Sequence, residues 1–185
     1  MVIGIIGAGA SGMAAALAAA ENENAQVILM ERQARVGRKL AATGNGRCNL
    51  TNLHANGSVY HGDDASFATP ALQRYSVDDT LNWFRDMGLY TVAEASGRVY
   101  PYSDQANSVL DVLRFALNKP NIRIESGVEI KRIRRADGGF YADEQLCDKL
   151  IIACGGLAGT KLGGSMSGYQ LLRSMGHRVS KLRRS

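Results

Sequence analysis

The chain has 185 residues, with 22 Lys and Arg against 17 Asp and Glu for a net charge of +5, and 45% of its residues are hydrophobic. That balance excludes disordered and collagen-like classes, and a chain of this length can bury about 70% of its unfolded surface. Cys48, Cys147 and Cys154 are too few for a disulfide framework and lack zinc-ligand spacing, so we expect a reducing, cytoplasmic setting and no metal.

Residues 2–20 form an apolar run of a length that suggests a membrane span or signal peptide, but Gly4, Gly7, Gly9 and Gly12 interrupt it and no Lys or Arg precedes it. A β-branched opening gives way to alanines, which predicts a strand over 2–6, a turn, and a helix over 11–23. The turn reads G-x-G-x-x-G, with Gly7, Gly9 and Gly12 separated by Ala8, Ala10 and Ser11. The first glycine permits a tight turn, the second admits a pyrophosphate, and the third lets helix and strand pack closely. The helix N-terminus then points its free N–H groups and positive dipole end at the phosphates. A second apolar strand over 26–30 ends in Glu31, 19 residues after Gly12. An acid at that spacing can accept both hydroxyls of an adenosine ribose, and it repels a 2′-phosphate.

A polar, glycine-bearing loop follows, too long to be idle. Gly44 and Gly46 bare the backbone, while Asn45, Asn49 and Thr51 supply hydrogen bonds suited to a heteroaromatic edge. Arg47 is expected to lower the pKa of adjacent Cys48. With no second cysteine close in sequence, a packing or cofactor-contact role is favoured for Cys48 over a redox one. His54, His61 and His177 are scattered, and no catalytic acid or base is assigned.

Further along, helices are predicted over 67–75 and 77–87, with Gly88 as a C-cap, and short strands over 90–92 and 98–100. Val109, Leu110, Leu113 and Leu117 form the apolar stripe of a helix over 105–118. Strands are predicted over 122–125, 128–134 and 139–142, the last two joined by a hairpin around Asp137 and Gly138. A final apolar strand over 149–153 ends in Cys154, Gly155 and Gly156, glycines that expose backbone at the carboxyl edge of a parallel sheet. The basic residues gather in 32–47, 131–135 and 173–184 without interleaved aromatics, which argues against a nucleic-acid surface and favours a solvated face for the last two.

The runs GAGASGMAAALAAA, MERQARVGRKLAATGNGRCNLTN and LIIACGGLAGTKLGG resemble the BaiN/YhiN-like NAD(P)/FAD-dependent oxidoreductases, a bacterial group that includes aminoacetone-oxidase-like flavoproteins. GNGRCNLTN is the most specific element, and the likeness extends to about residue 182. It implies an α/β, Rossmann-like three-layer FAD/NAD(P)-binding domain over 1–185, incomplete at its C-terminus, with a small helical and β-hairpin elaboration. It implies FAD as cofactor, NAD(P)H as a transient electron donor, and a small-molecule substrate. Membrane and nucleic-acid partners are not expected, and a homo-oligomer is left open.

By the same resemblance Gly7, Ala8, Gly9, Ala10, Ser11 and Gly12 meet the pyrophosphate, Glu31 the ribose, and Arg32 the adenosine. Val128, at the start of its strand, offers backbone groups to the adenine. Arg38, Lys39 and the loop Thr43, Gly44, Asn45, Gly46, Arg47, Cys48 and Asn49 lie along the flavin half, and Ala153, Gly155 and Gly156 line the sheet edge. Trp83 and Tyr100 read first as core and only second as flavin-stacking groups. Where the family reads L-G-S-T-G-D-G-Y, this chain has Leu162-Gly163-Gly164-Ser165-Met166-Ser167-Gly168-Tyr169, without the acid. Relatives continue into a substrate-facing segment, so a competing expectation is a truncated, catalytically inactive nucleotide-binding fragment, with the basic ending at Arg183 and Arg184 as its second motive. A third is an RNA-associated flavoprotein, motivated by the net charge and a remote similarity to tRNA-modifying flavoproteins.

Overall fold

β-branched residues open the chain as β1 (Val2–Ile6), and alanines then build α1 (Ala10–Ala19). In the computed structural model, residues 1–61 and 64–182 are described; the basic ending at Arg183 and Arg184 lies outside the described residues. After α1 come β2 (Gln26–Glu31), α2 (Arg38–Ala42), β3 (Thr51–Asn52), α3 (Thr69–Arg74) and α4 (Val77–Asp86). β4 (Thr91–Ala93), β5 (Arg98–Pro101), α5 (Ala106–Ala116) and β6 (Ile122–Ser126) follow. The chain continues with β7 (Ile133–Ala136), β8 (Gly139–Ala142), β9 (Gln145–Cys147), β10 (Lys149–Ile152) and α6 (Ser167–Ser174). These elements form two units, one of Met1–Lys39 with the chain from Ala116 onward, the other of Leu40–Phe115.

The first unit is built on a parallel sheet in the order β10-β1-β2-β6, with Gly4 opposite both Ile28 and Leu150. Its faces divide by the two-residue period of a strand. Ile5, Val27 and Leu29 are fully or almost fully buried, on the face where α1 packs with Met13 and Ala16. Ile6, Ile28 and Met30 face the other way and join Ile130, Ile133, Ala142 and Leu171 in one cluster. The antiparallel meander β7-β8-β9 therefore covers the second face, giving three layers. Each large side chain sealed in this way contributes about 1.5–3 kcal/mol, and cover on both faces explains why β1 and β2 read as unbroken apolar runs.

Chain direction fixes where a ligand can bind. The first crossover carries β1 to β2 on one side, while β10 pairs with β1 on the other. The crevice outside the carboxyl ends of β1 and β10 is thus the topological switch point of the sheet.

Two expectations for this unit shift. The strand expected over 128–134 begins only at Ile133, because the N–H groups of Lys131 and Arg132 donate to the Asp143 carboxylate at 3.0 and 2.9 Å instead of to a strand. β9 adds a third strand to the predicted hairpin.

In the second unit an antiparallel sheet runs β3-β5-β4. α4 starts at a capping box in which Ser76 and Asp79 satisfy each other's backbone N–H. The helix expected over 67–75 divides into a 3-10 turn, Ala65–Ala68, and α3, because Pro70 has no N–H and fits only a first helical turn. α5 buries Val109, Leu110 and Leu113 as its stripe predicts. Among the described residues no helix is long and apolar enough to cross a membrane.

Candidate functional site

At the carboxyl end of β1 the backbone reverses at Gly7, whose φ is +103° and whose N–H donates to Met30 O at 2.7 Å. A Cβ here would stand 2.5 Å from Ala153 O, so β10 passes too close for any side chain. At Gly12 an added Cβ would overlap Gly7 O, which presses α1 against the turn. Gly9 differs: a Cβ there would meet nothing within 4 Å. The glycine between the two packing positions thus borders open space.

α1 begins at that space with no side-chain cap and no acid in its first turn. Its first intrahelical bond is Met13 N–H to Gly9 O at 2.9 Å, which leaves the N–H groups of Ala10, Ser11 and Gly12 for another acceptor. Uncapped N–H groups at the positive end of a helix dipole suit an anion.

Beside this turn, Glu31 at the end of β2 accepts the N–H of Ala8 on Oε2 and of Gln33 on Oε1, each at 2.8 Å. A carboxylate offers about four lone-pair positions, so two acceptor sites remain for hydroxyls. Val128 lies next to it, in the link between β6 and β7 and not at the start of a strand. Its N–H is spent on Glu31 O at 2.9 Å, so its carbonyl is the group left to offer.

Two cationic residues of this unit, Arg32 and Lys39, are tied to backbone carbonyls after β10. Arg32 donates through Nη2 to Gly163 O and stands 3.8 Å from Glu129 Oε1. Lys39 Nζ donates to Gly156 O at 3.3 Å and Ala158 O at 3.1 Å, while Arg38 donates to Gln33 Oε1 at 3.1 Å. The Arg32 and Lys39 bonds close the loop after β10 over the sheet edge that Ala153, Gly155 and Gly156 form. A Cβ on Gly156 would stand 2.8 Å from the Tyr169 hydroxyl. No sequence signal marks Gln33, Gly163 or Tyr169 as a site residue, and no spacing rule announces a carbonyl partner 131 residues away. Cys154 is half-buried near Ile6 O, and burial, then the Glu31 charge, push its thiol pKa up.

In the second unit the turn after α2 is left-handed at Gly44, Asn45 and Gly46, and again at Cys48, with φ between +54° and +87°. For Asn45 and Cys48, which carry side chains, each such conformation costs about 1 kcal/mol or more. Thr43 Oγ1 donates to Leu40 O at 2.7 Å, and Thr43 O accepts the Cys48 N–H at 3.0 Å. Thr43 to Gly46 and Asn49 are exposed around the buried Cys48.

The expected activation of Cys48 by Arg47 does not occur. Burial pushes the thiol up, opposed only by its hydrogen bond with Thr43, and the guanidinium is engaged elsewhere. Arg47 donates to Asp104 Oδ1 at 2.5 Å and Glu94 Oε1 at 2.8 Å, and lies 3.9 Å over the Tyr100 ring. Tyr100 is 6% exposed with that face covered, so it is core and not a stacking platform. Among the described residues no group of three or more His, Cys, Asp or Glu could hold a metal ion.

The family model of the HI0933-like protein Rossmann domain matches residues 1–183. The chain belongs to this family. It is 46% identical over 183 residues to the 3-dehydro-bile acid delta(4,6)-reductase of Clostridium scindens, covering 96% of this chain and 44% of the relative. It is 31% identical over 179 residues to the ribosomal RNA dihydrouridine synthase of Escherichia coli K12, covering 95% and 44%. The chain therefore spans less than half the length of these curated relatives. Among solved structures, Thermovibrio ammonificans THI4 superposes with a TM-score of 0.54 at 14% identity, over 95% of this chain and 63% of that one. FrdA of E. coli quinol fumarate reductase, carrying the E245Q mutation, gives 0.55 at 18%, over 85% and 33%. These likenesses show the fold, and the family match bears out the resemblance read from the sequence.

Proposed function

We propose that this chain is the FAD-binding part of a flavoprotein oxidoreductase. The observation that carries the reading is the Glu31 carboxylate, fixed by two backbone N–H groups beside an uncapped, acid-free helix N-terminus that opens on empty space at Gly9. FAD, when bound, supplies the electron chemistry. The chain's own groups bind and orient it: the N–H groups of Ala10, Ser11 and Gly12 take the pyrophosphate, Glu31 the ribose hydroxyls, and the Val128 carbonyl the adenine edge. The turn from Thr43 to Asn49 is proposed separately to contact the flavin half. NAD(P)H is the proposed transient donor.

One relative is named as a reductase and the other for making dihydrouridine, so both names describe adding hydrogen to an unsaturated substrate. We propose a reduction of that kind, with a small unsaturated molecule as substrate, following the 46% relative. RNA is the second reading, supported by the ribosomal RNA enzyme at 31%. Titrating FAD into the full chain tests the main reading. Saturable binding that weakens at least about tenfold in a Glu31→Ala chain that still folds supports it; no binding by the wild-type folded chain overturns it. Salt-sensitive retention of RNA at physiological ionic strength would move the substrate reading to RNA.

A further inference from the structure

We propose that Arg47 is a positioning residue, a clamp that holds the left-handed turn from Gly44 to Cys48 in shape before any ligand arrives, and not a ligand itself. Three segments meet at its guanidinium: the turn that carries it, Glu94 just after β4, and Asp104 in the link from β5 to α5. Nε and Nη2 each hold a carboxylate, and the plane of the group covers Tyr100. Two acids on one cation leave no net positive charge to offer to an anionic ligand. An arginine kept for a phosphate would not be neutralised twice over.

The segments being joined are the strained ones. Among the described residues four without glycine's freedom have positive φ, and three of them belong to this assembly: Asn45 at +56°, Cys48 at +59° and Asp104 at +58°. Such conformations persist only where surrounding structure over-determines them. The local backbone bonds, Arg47 N–H to Gly44 O at 3.1 Å and Cys48 N–H to Thr43 O at 3.0 Å, lie within the turn and do not anchor it to the sheet. The planar fork of Arg47 does, because Tyr100 belongs to β5 and both acids flank the β4–β5 pair.

The test is amide hydrogen exchange on the full chain without ligand, comparing wild type with Arg47→Ala, Arg47→Lys and the double variant Glu94→Gln/Asp104→Asn. A clamp predicts at least about tenfold faster exchange at the Arg47 and Cys48 amides in all three, while the Leu50 amide, bonded to Val99 O, keeps its protection. Lysine fails here because it keeps the charge but not the fork. Unchanged exchange in the double variant overturns the proposal. If Leu50 also loses protection in the double variant, the single Glu94→Gln chain replaces it and is judged by the same criterion.

A second arm rests on the proposed contact of this turn with flavin and measures FAD affinity. Arg47→Ala and the double variant should weaken FAD alike, by about tenfold, because fewer molecules hold the competent turn. A double variant that binds FAD as well as or better than wild type, while Arg47→Ala does not, would make Arg47 a ligand and overturn the clamp. If wild type binds no FAD, the functional reading fails and the exchange arm still decides the clamp.

Discussion

Glu31 Oε2 accepts the backbone N–H of Ala8 at 2.8 Å, across 23 residues of sequence. That bond ties the end of β2 to the glycine turn and fixes the carboxylate that is proposed to meet the ribose. Its other oxygen accepts the N–H of Gln33, so the side chain serves the fold and the proposed site at once.

Glu31→Ala should therefore have two separable effects. FAD binding should weaken by roughly 1.5–3 kcal/mol, the scale of a charge-assisted hydrogen bond, and folding stability should fall because two N–H groups lose their acceptor. Fluorescence titration and urea unfolding of the same preparation measure both. An unaltered dissociation constant removes Glu31 from the site.

The glycines of the turn should separate in the same pair of measurements. Gly12→Ala drives a Cβ onto Gly7 O and should cost about 3 kcal/mol of stability or prevent folding. Gly9→Val points into open space, so it should cost only the ~1–2 kcal/mol of a poor N-cap residue while abolishing dinucleotide binding. A folded Gly9→Val chain with full FAD occupancy would sink the phosphate assignment.

How far these features could be read from residues alone follows from how local their causes are. β1, the turn, α1, β2 and Glu31 were legible because an apolar run, three spaced glycines and an acid each act within a few residues of themselves. The delayed start of β7 was not, since it depends on Asp143 capturing the N–H groups of Lys131 and Arg132 from twelve and eleven residues away. Nor was the unit of residues 40–115, since it stands apart only when residues 1–39 come together with the chain from 116 onward. Arg47 misled for a related reason: adjacency to Cys48 suggested thiolate activation, but Glu94 and Asp104, far along the chain, take the guanidinium.

The Cys48 thiol supplies a pH test. Burial raises its folded pKa above the unfolded value of about 8.5, so its contribution to stability is fully present below that pH and is lost as pH rises through the folded pKa. Between pH 7 and 10 the urea midpoint of wild type should fall more steeply than that of Cys48→Ala. Parallel slopes would mean that Cys48 ionises as freely in the fold as outside it.

Arg32 closes the loop after β10 through Gly163 O. Arg32→Ala should cost about 1 kcal/mol, since the pair is partly exposed, and should speed proteolytic cleavage within residues 157–165 without loosening the parallel sheet. Mass spectrometry of timed digests reads the site of first cleavage, and an unchanged pattern would show that Lys39 holds the loop without help.

Whether this chain holds FAD is read from the visible absorption spectrum of the purified protein, with the chromophore released by denaturation and identified. Flavin bands near one equivalent are expected, or their appearance once FAD is added and excess removed, with FAD as the released species. A folded chain that stays colourless in the presence of FAD would contradict FAD binding.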